Sequence, residues 1–297
     1  MSADADSLAL VSDSFPSETA FPSETAGPSE TAGPSETARH RAGRTTLDPG
    51  VLLAAVSEHS QGLARSARNN LAAPVEHCPG WSVADLVAHV TDVHWFWAAI
   101  AAGGLSEPPP DDSRPPRAAE QDLVSVFLAG ARRMADILGR ADQDRRVWTW
   151  APDAQHIGFI TRHQAQEAAV HHWDAAHAAG HHLALDPAIA ADALTEFLTF
   201  SVSSVADHPA TARPDLAGTF VLVAADLGLT WTVRDASLPG TVEFTVGALD
   251  GAEFTGPRVI ATASELLLWV YGRLNLPVQP DEAAELLVRF KGLCFTD

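Results

Sequence analysis

The chain has 297 residues, 46% of them hydrophobic, enough to bury a substantial core and to build two domains. Its 38 acidic residues against 19 basic ones give a formal net charge of −19, which repels phosphate backbones and anionic lipid and argues against nucleic-acid or membrane-surface binding. Two cysteines, Cys78 and Cys294, make no disulfide framework, and no apolar run is long enough to span a bilayer. With no basic segment followed by an apolar stretch at the N-terminus, a soluble, cytoplasmic protein without a signal peptide is expected.

From Phe15 to Ala38 the sequence runs through four tandem hexads, FPSETA twice and GPSETA twice. Hexads of Pro, Ser, Glu, Thr and Ala bury too little apolar surface to offset the entropy of ordering, so residues 1–44 read as a disordered tail. Helical patterning begins near Leu47 and stops at Asn69-Asn70. Pro79-Gly80 then make a turn, Ser82 with Asp85 forms a capping box, and Gly103-Gly104 end a second helix. After the Pro-rich PPPDDSRPP, a third helix is predicted over Ala118 to Leu138 and a fourth from about His156 to Ala179, stopped by Gly180. Four long helices over residues 45–183 predict a four-helix bundle.

Past Pro187 the pattern changes. One helix, Ala188 to Ala206, leads into GTFVLVAADLG, LTWTVRDA and TVEFTVGA, strand-like segments rich in Val, Thr and Phe with turn residues between them, and then into the helices ATASELLLWVYGRL and DEAAELLVRFKGL. Residues 184–297 therefore read as a small C-terminal α+β domain with an antiparallel sheet.

Thirteen histidines raise the question of which share a helix face. Glu167 and His171 lie four residues apart on the fourth helix, which stacks their side chains so that both can reach one ion. A carboxylate and an imidazole suit zinc or a similar divalent metal, although such a pair also arises by chance. On the second helix His89, flanked by Leu86, Val87 and Val90, faces the core side; a satisfied core histidine is the commoner outcome there, but facing bundle helices are also a recurrent place for metal sites. Three protein ligands with an open fourth position are the pattern of catalytic zinc, and nickel, cobalt or iron would accept the same donors. His163 precedes Glu167 by four residues and could reach the same ion; Asp174 follows His171 by three and could orient its imidazole. His94, Trp95 and Trp97 could line a pocket mouth, though aromatic clusters at this spacing are more often core. His177, His181 and His182 read as solvated or helix-capping.

The segment GWSVADLVAHV with His94 and Trp95, together with Arg162, Glu167, Val170-His171 and Asp174, resembles the mycothiol-dependent maleylpyruvate isomerase family of the DinB-like superfamily, and ATASELLLWVYGRL resembles that family's second domain. The resemblance spans about residues 47–293. It implies a DinB-like bundle with metal ligands at His89, Glu167 and His171, a C-terminal α+β domain, and mycothiol as thiol cosubstrate. The family's Gly-Arg falls on Gly272-Arg273, and Arg273 is a candidate anchor for a substrate carboxylate, with a surface ion pair as the competing reading. His172 stands where related sequences often have Arg. The implied activity is an enzyme's: mycothiol thiolate attacking a small electrophile, as S-transfer, thiol exchange or cis–trans isomerisation. The acidic, repeat-bearing tail tilts the reading toward transfer. Alternatives are maleylpyruvate isomerisation proper, metal-dependent hydrolysis of a thiol conjugate, and a non-catalytic binding module. Since neither cysteine lies in the motifs, the nucleophile is expected from the small-molecule thiol.

Overall fold

The computed structural model describes residues 45–202, 214–249 and 256–295. The repeat tail, and the last part of the helix predicted to reach Ala206, lie outside these residues.

Seven α-helices and four strands are found among them. Helix α1 (Pro49–Ala67) starts where Asp48 accepts a hydrogen bond from the Gly50 amide and Pro49 occupies the first turn. Helix α2 (Val83–Gly103) begins with the expected Ser82/Asp85 capping box and ends at Gly104, whose φ of +61° is the left-handed conformation of a C-cap. The third helix, α3 (Leu123–Arg140), begins later than expected, because Glu120–Asp122 form a separate 3-10 turn. Helix α4 (Ile157–Ala178) is capped by His156, whose Nδ1 accepts from the Phe159 amide. These four helices form the four-helix bundle expected from the sequence. Helix α4 is buried on nearly every side and packs against α1 and α2 and against α5 (Pro187–Phe200).

The α1–α4 seam depends on a small residue. A Cβ placed on Gly62 would fall 2.1 Å from the His172 ring, which is itself held by a 3.0 Å contact between His172 Nδ1 and His59 Nδ1. The position that departs from the family pattern therefore faces α1.

The C-terminal half carries a mixed four-stranded sheet in the order β3 (Val242–Ala248), β2 (Leu229–Asp235), β1 (Thr219–Ala224), β4 (Arg258–Ala261). The three strands expected from sequence do pair antiparallel, with Leu222 opposite Trp231 and Trp231 opposite Val246. The fourth strand pairs parallel with β1, Leu222 beside Val259, so the sheet is mixed rather than wholly antiparallel. Four residues are too few to show an alternating pattern, which is why β4 was not legible. Helix α6 (Ala263–Val270) starts with a Thr262/Glu265 capping box and stops before the predicted Leu274, since Gly272 takes a φ of +74°. Helix α7 (Ala284–Leu293) closes the chain against the sheet through Phe290 and Phe220.

The two halves share apolar contacts. Ala169, Val170 and Trp173 of α4 join the same buried cluster as Leu194 and Phe197 of α5, Leu222 of β1 and Leu267 of α6. Among the described residues no helix is long and apolar enough to cross a membrane.

Two alanine substitutions should move stability in opposite directions. Gly62→Ala forces the half-buried His172 ring aside, costing about 1–3 kcal/mol of overpacking against a gain of up to ~1 kcal/mol in helix propensity, so the melting temperature should fall. Gly130→Ala, in α3 with nothing within 4 Å of the new methyl, should raise it by the propensity gain of up to ~1 kcal/mol. Thermal unfolding of the two variants checks both signs.

Candidate metal centre

Burial fixes the electrostatics of α4. Glu167 is surrounded by protein, which opposes its charge, yet the imidazoles of His171 and His89 more than compensate and hold its carboxyl well below the usual range. Its Oε1 lies 3.2 Å from His171 Nε2, one helical turn away, and 3.5 Å from His89 Nε2, which α2 delivers. Two imidazole nitrogens therefore converge on one carboxylate oxygen, from two helices. The rings of His89 and His171 meet edge-on at 5.3 Å, and Trp81 packs on His89 at 4.9 Å.

A second layer sets the tautomer. His171 Nδ1 lies 3.1 Å from Asp174 Oδ2, which leaves Nε2 to face Glu167. With Nδ1–H donating to Asp174, a neutral ring would turn a lone pair toward an anionic oxygen that also needs a donor. Only a proton or a metal cation between them makes that arrangement favourable. Burial opposes charge on His171, but Glu167 and the Asp174 hydrogen bond outweigh it and raise its pKa to about 9. The donor set of two imidazoles and one carboxylate suits a zinc-type ion.

Asp174 is itself clamped. Arg273 donates from Nη2 to Oδ2 at 2.8 Å and from Nε to Oδ1 at 3.1 Å, and its Nη1 donates to the Tyr271 carbonyl. Burial works against the Asp174 charge, but the His171 and Arg273 hydrogen bonds bring its pKa down to about 2. Arg273 thus directs its bidentate face to a protein carboxylate.

The remaining singled-out residues fall elsewhere. His163 pairs with Glu196 of α5 at 2.8 Å and stacks on Phe159, so the structure does not bring it into the trio. His94 is buried against Phe127, and burial pushes its imidazole down to about 4, so it is neutral. Trp97 is core, packed with Phe96 and Trp148. His177 stacks on Trp173 and pairs with Glu76 at 2.9 Å.

Sequence reasoning set both cysteines apart from the site, and for Cys78 the structure corrects this. Its Sγ is 3.7 Å from Arg273 Nη2 and 4.0 Å from Asp174 Oδ2, and Cys78, His171 and Asp174 form a second potential ligand cluster that shares His171. Burial pushes the Cys78 thiol up to about 11, so without a metal it is protonated at neutral pH and a poor nucleophile. Its place immediately before the Pro79-Gly80 turn that leads into α2 was the available signal.

Removing the clamp should weaken the centre without touching the trio. Arg273→Ala leaves the buried Asp174 carboxylate without its cation and frees His171 to turn, so zinc affinity measured by chelator competition should fall about 10–100-fold. Arg273→Lys should restore part of it. Wild-type affinity in the alanine variant would contradict the clamp.

Residues 52–176, which contain His89, Glu167, His171 and Asp174, match the family described as Mycothiol maleylpyruvate isomerase N-terminal domain. No curated protein matches the chain in sequence. Among solved structures, the chain is similar to one titled crystal structure of the mycothiol-dependent maleylpyruvate isomerase, with 13% identity over 78% of this chain and 93% of that one and a TM-score of 0.52. At that identity the likeness is one of fold. Over residues 52–176 the chain is thus similar to the mycothiol maleylpyruvate isomerase N-terminal domain.

Proposed function

We propose that this chain is a metal-dependent enzyme that binds one divalent ion, of the zinc type, through His89, Glu167 and His171, and uses the thiolate of mycothiol as nucleophile on a small electrophile. The observation that carries the reading is the convergence of two imidazole Nε2 atoms on Glu167 Oε1, with His171 Nδ1 held by Asp174. The match of residues 52–176 to the mycothiol maleylpyruvate isomerase N-terminal domain supports mycothiol as the thiol.

When bound, the ion supplies positive charge that favours thiolate over thiol at neutral pH. The chain's own residues do the rest. Glu167 and the two imidazoles hold the ion, Asp174 fixes the His171 tautomer, and Arg273 keeps Asp174 in place from the C-terminal half. Cys78 stays protonated, so the protein offers no thiolate to compete with the small-molecule one. We read residues 45–183 and 184–297 as two domains that share this centre, the first giving the ligands and the second the clamp. A reducing cytoplasm, where a thiol cosubstrate stays reduced, is the matching compartment.

Two outcomes are open to such a thiolate. It can displace a leaving group, which departs with its electron pair while the S–C bond forms, giving transfer. Or it can add to a conjugated double bond, pushing the π pair onto the neighbouring carbonyl, permit rotation, and leave again, giving isomerisation. The fold shared with the mycothiol-dependent maleylpyruvate isomerase favours the second.

Metal analysis of the purified protein should find about one zinc-type ion per chain, as a single three-ligand site requires. His89→Ala and His171→Ala should each abolish thiol-dependent turnover; full activity in either overturns the assignment. Incubation with maleylpyruvate and mycothiol separates the two reactions, because isomerisation returns the thiol and transfer consumes it.

A further inference from the structure

The turn between α1 and α2 carries two metal-ligating side chains that the proposed centre does not use, Glu76 and His77. Its own backbone holds it: the Val75 amide donates to the Trp81 carbonyl at 2.9 Å and the Cys78 amide to the Val75 carbonyl at 3.1 Å, while Val75 is buried in the core. His177 faces this turn from the last turn of α4. Glu76 Oε2 lies 2.9 Å from His177 Nε2, and one donor atom from each of Glu76, His77 and His177 falls within 4.8 Å of the other two.

The two imidazoles share a rigid platform. Trp173, one turn before His177, belongs to the buried cluster that joins the two halves of the chain. His177 stacks on its indole at 4.7 Å, 8° from parallel; His77 packs on the same indole at 5.6 Å and on His177 at 5.5 Å. Surface histidines lose rotamer freedom when they close on an ion, and these two have already given up most of theirs, which lowers the cost of chelation. Burial holds His77 below its ordinary pKa, so at neutral pH no proton occupies the lone pair. Glu76 supplies an anionic oxygen, and a net charge of −19 draws cations toward it. Two ligands of a tetrahedral zinc, each bonded at about 2.0–2.1 Å, lie about 3.4 Å apart. Small side-chain rotations therefore close the trio on one ion, and the exposed Glu76 has room to make them.

We propose that Glu76, His77 and His177 form a second metal site, at the surface, which takes one borderline divalent cation such as zinc, nickel or copper and ties the α1–α2 turn to the end of α4. It shares no ligand with the centre at His89, Glu167 and His171 and does not rest on the function proposed above. The side chains of Glu76 and His177 are 68% and 42% exposed, so water competes and the ion is held less tightly than in a buried trio. Purified protein loses this ion, and the site fills when metal is added.

The test is a calorimetric titration of zinc into the full chain after EDTA treatment and removal of the chelator. The double variant His77→Ala/His177→Ala should bind one zinc fewer per chain than wild type. Glu76→Gln changes only a charge at an exposed position and should weaken one binding event by about 10-fold or more, because an anionic ligand is lost. His171→Ala removes the histidine common to the other two potential ligand clusters among the described residues and should still bind one zinc, at the affinity of the weaker event in wild type. As many zinc ions in the double variant as in wild type, or every ion at wild-type affinity in Glu76→Gln, overturns the surface site and leaves the buried one standing. Loss of all zinc binding in a folded His171→Ala overturns it too. A single zinc in wild type that the double variant removes would uphold the surface site and sink the buried centre.

Discussion

A carboxylate taken out of water keeps its charge only where cations or donors replace the solvent. Glu167 meets that condition with two imidazoles, one from its own helix and one from α2, and much of the bundle's arrangement is tied to it. His171 needs only the i, i+4 spacing of α4. His89 needs α2 and α4 to lie in one particular register, fixed by Val83, Leu86, Val87 and Val90 in the core beneath it. A slip of one residue along α2 would turn His89 away and leave Glu167 half-compensated. The capping box at Ser82 and the left-handed Gly104 set where that helix begins and ends.

The second constraint runs outward from His171. Asp174 and Arg273 extend a line of alternating charge from the bundle into the C-terminal half, and each member is buried enough to need its neighbours. Arg273 can be placed there because α6 stops at Val270 and Gly272 turns the chain in the left-handed region. The apolar cluster shared by α4, α5, the sheet and α6 brings the two halves close enough for the clamp to form. The C-terminal half thus acts on the centre through position rather than by donating a ligand.

What the sequence made legible was local. Helix starts and stops came from capping residues and glycines, and the face shared by Glu167 and His171 came from helical spacing. The Val, Thr and Phe content of Thr219 to Ala224 and of Leu229 to Val233, between turn residues, announces two strands. Position in three dimensions was not legible. His163 has the same spacing from Glu167 as His171, on the opposite side, but Glu196 of a later helix claims it, and nothing in the run RHQAQEAAVHH encodes that competition. Arg273 is legible as a carboxylate-binding cation, but its partner, 99 residues earlier, is not. Cys78 came into reach of Asp174 only through the turn at Pro79-Gly80. Strand β4 was too short to have a pattern of its own.

The central claim is that two imidazoles and a carboxylate, and not the neighbouring Cys78 cluster, take the ion. Zinc K-edge X-ray absorption on zinc-loaded protein without added thiol distinguishes them. The account predicts a first shell of nitrogen and oxygen alone at about 2.0–2.1 Å, with the scattering pattern of two imidazoles. A sulfur scatterer at about 2.3 Å would contradict it, because only Cys78 could supply one beside His171.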